Sequence, residues 1–227
     1  MRDALPVPIY DSIARYLRDA GRRAERSWPI NRAHEDALTG AVFLEFATDR
    51  ARQAYADGRK WNWRVRPYKF GSGGLGSEER NSGADGIIEI EVRHPATGEI
   101  QSKALLVQAK KQWTGADPKL LTQVRKMEDI VEGGCAAFDY SSDGYSAVTG
   151  RGVLEASGNR RRVPSSEVES LGDFLADRFL ACKVGVRGLY YEPRRHLLHL
   201  PPGPGRPEAV LFPIRERLRV EIEEVPK

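Results

Sequence analysis

Three residues of this chain carry groups suited to one reaction. Asp85 follows Gly83-Ala84 in a turn, and Gln108 and Lys110 lie two apart near the end of the apolar run ALLVQAK. In a strand, residues two apart share a face, so the Gln108 carbonyl and the Lys110 ammonium point one way while Val107 and Ala109 point the other. Hydrolysis of a phosphodiester needs a cation to polarise the phosphate, an activated water, and charge to stabilise the anionic transition state. Hard Mg²⁺ takes carboxylate, carbonyl and water oxygens, and Mn²⁺ can substitute at such sites. This chemistry assigns Asp85, the Gln108 amide oxygen and the Ala109 carbonyl to the metal. Lys110 would orient or deprotonate the water, and Glu35 from a preceding helix would add a carboxylate, with Asp36 beside it as the fallback.

The elements that must position these residues can be read from periodicity. Ile13, Tyr16 and Leu17 mark a helix over Ile9 to Arg23, and Leu38, Val42, Phe43, Phe46 and Ala47 mark a second from Arg32 to about Ala56. The segment KWNWRVRPYKF from Lys60 alternates as a strand does. After the glycine-rich stretch from Gly71, IIEIEV and ALLVQAK form a strand pair across a PATGE turn, so Asp85 can meet Gln108 and Lys110. A helix follows from Pro118 to Val131, then two strands, CAAFDYS and YSAVT. A last helix spans Ser166 to Cys182, capped by Ser165 or Ser166, and the tail from Leu189 reads as strands around a proline-rich bend.

With the order helix acid, GAD, hairpin, QAK and helix in view, the chain resembles the PD-(D/E)xK, or restriction endonuclease-like, nucleases, in the branch found in restriction and phage defence. The resemblance rests on Gly83-Ala84-Asp85-Gly86, on Gln108-Ala109-Lys110 and on Glu35 in HEDALTG. It covers about Asn31 to Thr149 and implies an α/β fold, a mixed central sheet flanked by helices with a short β-rich C-terminal tail. The expected division is a helical extension over 1–30, a nuclease core over 31–186 and a β extension over 187–227, together one domain. The family pattern also implies that Gln123, on the following helix, faces the site.

The resemblance implies a metal-dependent endonuclease acting on DNA, double-stranded in restriction or anti-phage defence. The departure is Gln108, which brings an oxygen where the family usually has a carboxylate; Glu79, with Glu78 beside it, is the accessory source of charge. A second reading is a catalytically inactive nuclease-fold subunit that binds nucleic acid within a defence complex, and a third is an RNA-cleaving toxin with the same core. Cutting both strands commonly takes two sites, so a homodimer or an assembly with a targeting or regulatory partner is expected.

The 227 residues, 40% hydrophobic and 30% charged, suit one core. Thirty-six basic residues against 32 acidic ones permit an anionic partner without requiring one. Lys111 and Arg160, Arg161 and Arg162 are the candidate phosphate contacts. No apolar run is long enough to span a membrane, and the expected address is the cytoplasm. GSGGLG before Glu78 spells a dinucleotide-binding pattern, but no helix opens after it. His196 and His199 lack the cysteine partners of a zinc site, and His34, a lone histidine at a helix start, reads as a cap or surface residue rather than a general base.

Overall fold

The computed structural model describes residues 4–26, 28, 35–70 and 83–226, apart from the side chains of 35–37. Helix α1, Val7–Glu25, buries Ile9, Ile13, Tyr16, Leu17, Ala20 and Ala24, the stripe expected of an amphipathic helix lying on a core. Arg22 and Arg23 occupy its last turn, where cations oppose the carbonyl end of the helix dipole.

Helix α2 is Glu35–Glu45, shorter than the helix expected to reach Ala56. Thr48 ends that possibility by bonding across to Val65: the Thr48 N–H donates to the Val65 carbonyl at 3.0 Å, and the Val65 N–H donates to Thr48 Oγ1 at 3.1 Å. Strand β1, Arg52–Ala56, then turns back into β2, Arg59–Lys69. Asp57 and Gly58 make the turn with φ of 53° and 70°, the two-residue pattern whose twist matches that of the strands.

Strands β3, Gly86–His94, and β4, Glu99–Lys111, form the expected antiparallel hairpin, with Gly86 opposite Val107 and Ile88 opposite Leu105. Helix α3, Pro118–Ile130, leads into β5, Cys135–Ser141, which lies parallel to β4, and into β6, Gly144–Thr149. A short helix α4, Gly150–Glu155, and strand β7, Glu169–Ser170, follow. Helix α5 runs from Leu171–Asp173 into a π-helical stretch, Phe174–Leu180. Its cap is Ser170, whose Oγ accepts the Asp173 N–H at 3.2 Å, and not Ser165 or Ser166, which lie in a separate turn.

The segment expected as a C-terminal extension divides in two. Strand β8, Val186–Arg187, pairs with β4 at Lys103 and Ala104, and β9, Tyr190–Glu192, β10, Leu197–His199, and β11, Ala209–Leu211, make a small separate sheet. Strand β12, Glu216–Val225, instead enters the middle of the main sheet, antiparallel to β2 and parallel to β3. The sheet order is β1-β2-β12-β3-β4-β5-β6-β7.

Alternation explains how β12 fits there. Leu218, Val220 and Ile222 are buried on one face. On the other, Arg217 pairs with Glu89, Arg219 with Glu91, and Glu221 with Arg64, opposite charges on neighbouring strands.

The two faces of the sheet have separate cores. Helices α1, α2 and α5 cover one, where Leu38, Val42 and Phe43 pack with Val107, Ala109 and Leu218. Helices α3 and α4 and the small sheet cover the other, where Leu120, Val124 and Met127 pack with Ile87 and Leu106. Full burial of side chains of this size contributes about 1.5–3 kcal/mol each. The chain is therefore a mixed α/β protein with a large mixed sheet between helices.

Candidate functional site

Asp85 is placed by a glycine. Gly83 has φ of 78°, and a Cβ there would lie 2.6 Å from the Gln123 carbonyl oxygen of α3. Only a residue without a side chain lets the chain pass so close to the helix in this conformation. Two residues on, the Asp85 N–H donates to the Val107 carbonyl at 2.9 Å, and its carbonyl accepts the Glu216 N–H at 3.2 Å. Asp85 is thus held between β4 and β12 where β3 begins.

The side chain turns back onto β4. Asp85 Oδ2 accepts the Ala109 N–H at 2.8 Å and a hydrogen bond from Gln108 Nε2. Gln108 is buried, and its Nε2 also lies 3.2 Å from the Ala109 carbonyl oxygen. Its Oε1 is buried with no hydrogen-bond partner among the described residues, a costly condition for an amide oxygen. Lys110, also buried, lies on the same strand face, with Nζ 3.6 Å from Asp117 Oδ2. The expected trio therefore comes together: Asp85 and Gln108 through a direct bond, Lys110 through alternation along β4.

Other residues fall elsewhere. Lys111 alternates to the opposite face of β4 from Lys110. Glu35 opens α2, which packs on the face of the sheet away from Gln108, and its side chain lies outside the described residues, as do Glu78 and Glu79. Gln123 is half-buried on α3, and its Oε1 is buried without a hydrogen-bond partner among the described residues. Arg160 sits 4.0 Å from Asp139 Oδ2, and Arg161 Nε donates to the Thr114 carbonyl at 3.2 Å. Arg161 and Arg162 are exposed.

Three carboxylates near this end of the sheet were not foreseen. Asp117 caps α3, accepting the Leu120 N–H at 2.8 Å, and Asp117-Pro118 is the cap-then-proline pattern that would have revealed it. Asp139 stands in register with Lys110 on β5 and accepts the Trp113 N–H at 2.8 Å. Burial pushes its carboxyl above the usual range, against the Trp113 bond and the Arg160 charge. Glu216 is buried on the α2 side, 3.2 Å from where a Cβ on Gly40 would lie; its position in the sheet depends on a pairing that local sequence does not encode.

Neither a family model, a curated protein nor a solved structure matched this chain.

Among the described residues, no three His, Cys, Asp or Glu side chains converge as a metal cluster. The donors at Asp85 and Gln108 are all oxygens, with one carboxylate and one orphaned amide oxygen. Such a donor set could hold a hard cation such as Mg²⁺, which takes few protein ligands and oxygen donors.

Proposed function

We propose that this chain is a metal-dependent phosphodiester hydrolase acting on DNA as an endonuclease, in the restriction endonuclease-like class. The observation that carries the reading is the contact between Asp85 and Gln108 across two strands, with the Gln108 amide oxygen left buried and unpartnered beside it. Lys110 on the same strand face completes a set of carboxylate, amide oxygen and ammonium at one end of the sheet.

Asp85 and Gln108 Oε1 would hold Mg²⁺ or Mn²⁺, which supplies Lewis acidity toward the phosphate and a more acidic bound water. The chain's own residues do the rest. The Ala109 N–H fixes the Asp85 carboxylate, so its orientation is set before substrate arrives. Lys110 offers positive charge where the transition state gathers negative charge. Arg161 and Arg162, exposed after α4, would contact the phosphate backbone, a sequence-independent attraction.

A role in bacterial defence, double-stranded substrate, and assembly as a homodimer or with a targeting partner belong to the same proposal and rest on the resemblance of the GAD and QAK motifs. The alternative of a binding subunit without activity is favoured by one feature, the neutral Gln108 in the usual acid position. Incubating the protein with end-labelled duplex DNA and matching RNA, in Mg²⁺ and in EDTA, separates the readings. Metal-dependent internal cuts in DNA support the nuclease; binding without cleavage under every metal supports the subunit.

A further inference from the structure

We infer that the groove between the segment after β4 and the β5–β6 turn is a phosphate subsite beside the cut, with Arg160 as its contact residue; this rests on reading Asp85, Gln108 and Lys110 as the hydrolytic site. An open cavity of about 800 Å³ lies there, with Trp113, Thr114, Asp139, Ser146 and Arg160 among its walls. Asp139 stands in register with Lys110 on the neighbouring strand, and paired strands lie about 4.8 Å apart. The groove therefore opens alongside the lysine of the site.

Arg160 is built into the wall of this groove. The segment after β4 is tied to the turn after α4: the Asp117 N–H donates to the Gly158 carbonyl at 2.9 Å, and the Arg160 N–H donates to the Gly115 carbonyl at 3.0 Å. Trp113 is buried and pinned twice, its N–H donating to Asp139 Oδ1 at 2.8 Å and its indole Nε1 to the Gly158 carbonyl at 3.2 Å. The Arg160 guanidinium lies over that ring, 6.0 Å from its centroid, with Nε 4.0 Å from Asp139 Oδ2.

That placement fixes the guanidinium without using its donors. At 4.0 Å Asp139 supplies charge but no hydrogen bond, and among the described residues the Arg160 side chain donates none. Its side chain is only 27% exposed. A partly buried fork of donors, held by a ring and a carboxylate and open to a groove, suits an oxyanion, and phosphate matches it in bidentate geometry. The Thr114 and Ser146 hydroxyls on the same walls are of the kind that contact a phosphate backbone. Charge within the groove sets the position. Glu25, Asp143 and Glu169 gather toward β6 and β7, where they repel a phosphate and confine it to the Arg160 end.

Binding of a labelled DNA duplex is read by fluorescence anisotropy across a salt series in EDTA. Arg160→Ala should weaken binding about tenfold and make the slope of log K against log salt shallower by about 1. Arg151→Ala removes an equal charge from a side chain 84% exposed on α4 and outside the groove, and should stay within about twofold of wild type. Because Arg160→Ala strands the Asp139 carboxylate, Asp139→Asn and the double variant complete the cycle. Asn keeps an acceptor for the Trp113 N–H, and the double variant should bind about tenfold more weakly than Asp139→Asn alone. Unchanged binding on loss of Arg160 in folded protein, or an equal loss in Arg151→Ala, overturns the subsite. Cleavage is read in parallel on duplexes carrying one uncharged methylphosphonate next to the mapped cut, which should slow wild type about tenfold and Arg160→Ala little. Additive losses overturn the placement beside the cut. A wild type that never cuts in Mg²⁺ or Mn²⁺ would remove the hydrolytic reading, while the salt series would still decide whether Arg160 holds phosphate.

Discussion

Gln108 donates its side-chain amide to the Asp85 carboxylate, and its carbonyl is left buried with no hydrogen-bond donor among the described residues. The Asp85 carboxylate keeps its charge beside that unpartnered oxygen, and on the proposed reading a cation would take both. Gln108→Glu replaces the donor by a second carboxylate against Asp85. In metal-free buffer the variant should lose about 2 kcal/mol, a Tm lower by about 4–8 °C. Millimolar Mg²⁺ or Mn²⁺ should restore most of it in a thermal melt. A loss that neither metal reverses would place the cation elsewhere.

Gly83 sets the entry to the site, and its substitution should damage stability and placement together. Gly83→Ala adds a Cβ 2.6 Å from the Gln123 carbonyl oxygen at a φ of 78°. The strain should cost about 1–3 kcal/mol in urea unfolding. Cleavage should fall even where the protein remains folded, because Asp85 shifts with the turn.

The hairpin that brings Asp85 to Gln108 was legible because it is local: alternation in IIEIEV and ALLVQAK and the PATGE turn lie within one short stretch. Alternation along β4 likewise put Gln108 and Lys110 on one face. Strand β12 was harder. Its own pattern, ERLRVEIEEV, is that of a half-buried strand, but its partners on β2 and β3 are far away in sequence. The sequence trace of that pairing is charge complementarity, Arg217 and Arg219 against Glu89 and Glu91 on β3 and Glu221 against Arg64 on β2. The break after α2 was missed because Arg52–Ala56 was taken as the end of the helical run, whereas it pairs with β2 across the Asp57-Gly58 turn. Glu216 escaped notice for the same reason as its strand.

Lys103 provides a pH test of the fold away from the candidate site. It is wholly buried, donates to the Phe179 carbonyl and lies over the Phe179 ring at 4.5 Å. Burial pulls its ammonium down to about 8, against the opposing influence of Cys182. Between that value and the ordinary lysine range, the unfolded chain holds more protons than the folded one, so stability rises with pH across this window. Below about pH 8 both states are protonated and the contribution is flat. Relative to Lys103→Met, wild type should therefore gain up to about 3 kcal/mol between pH 7 and 11 in urea unfolding. A pH-independent difference would mean that Lys103 is not desolvated as the fold indicates.

Arg161 and Arg162 are the exposed cations assigned to the phosphate backbone. Replacing both by Ala should weaken DNA binding about equally for unrelated sequences and make the salt dependence of log K shallower by about 2. Fluorescence anisotropy across a salt series measures both effects. An unchanged slope would remove these two residues from the DNA contact.

The most direct measurement is incubation of the purified chain with supercoiled plasmid in Mg²⁺ or Mn²⁺, beside EDTA and the Asp85→Ala and Lys110→Ala variants. A metal-dependent endonuclease with this site should nick or linearise the plasmid, and each variant should lose at least about a hundredfold. Cleavage that persists in EDTA, or that survives in both folded variants, would contradict the assignment of catalysis to Asp85, Gln108 and Lys110.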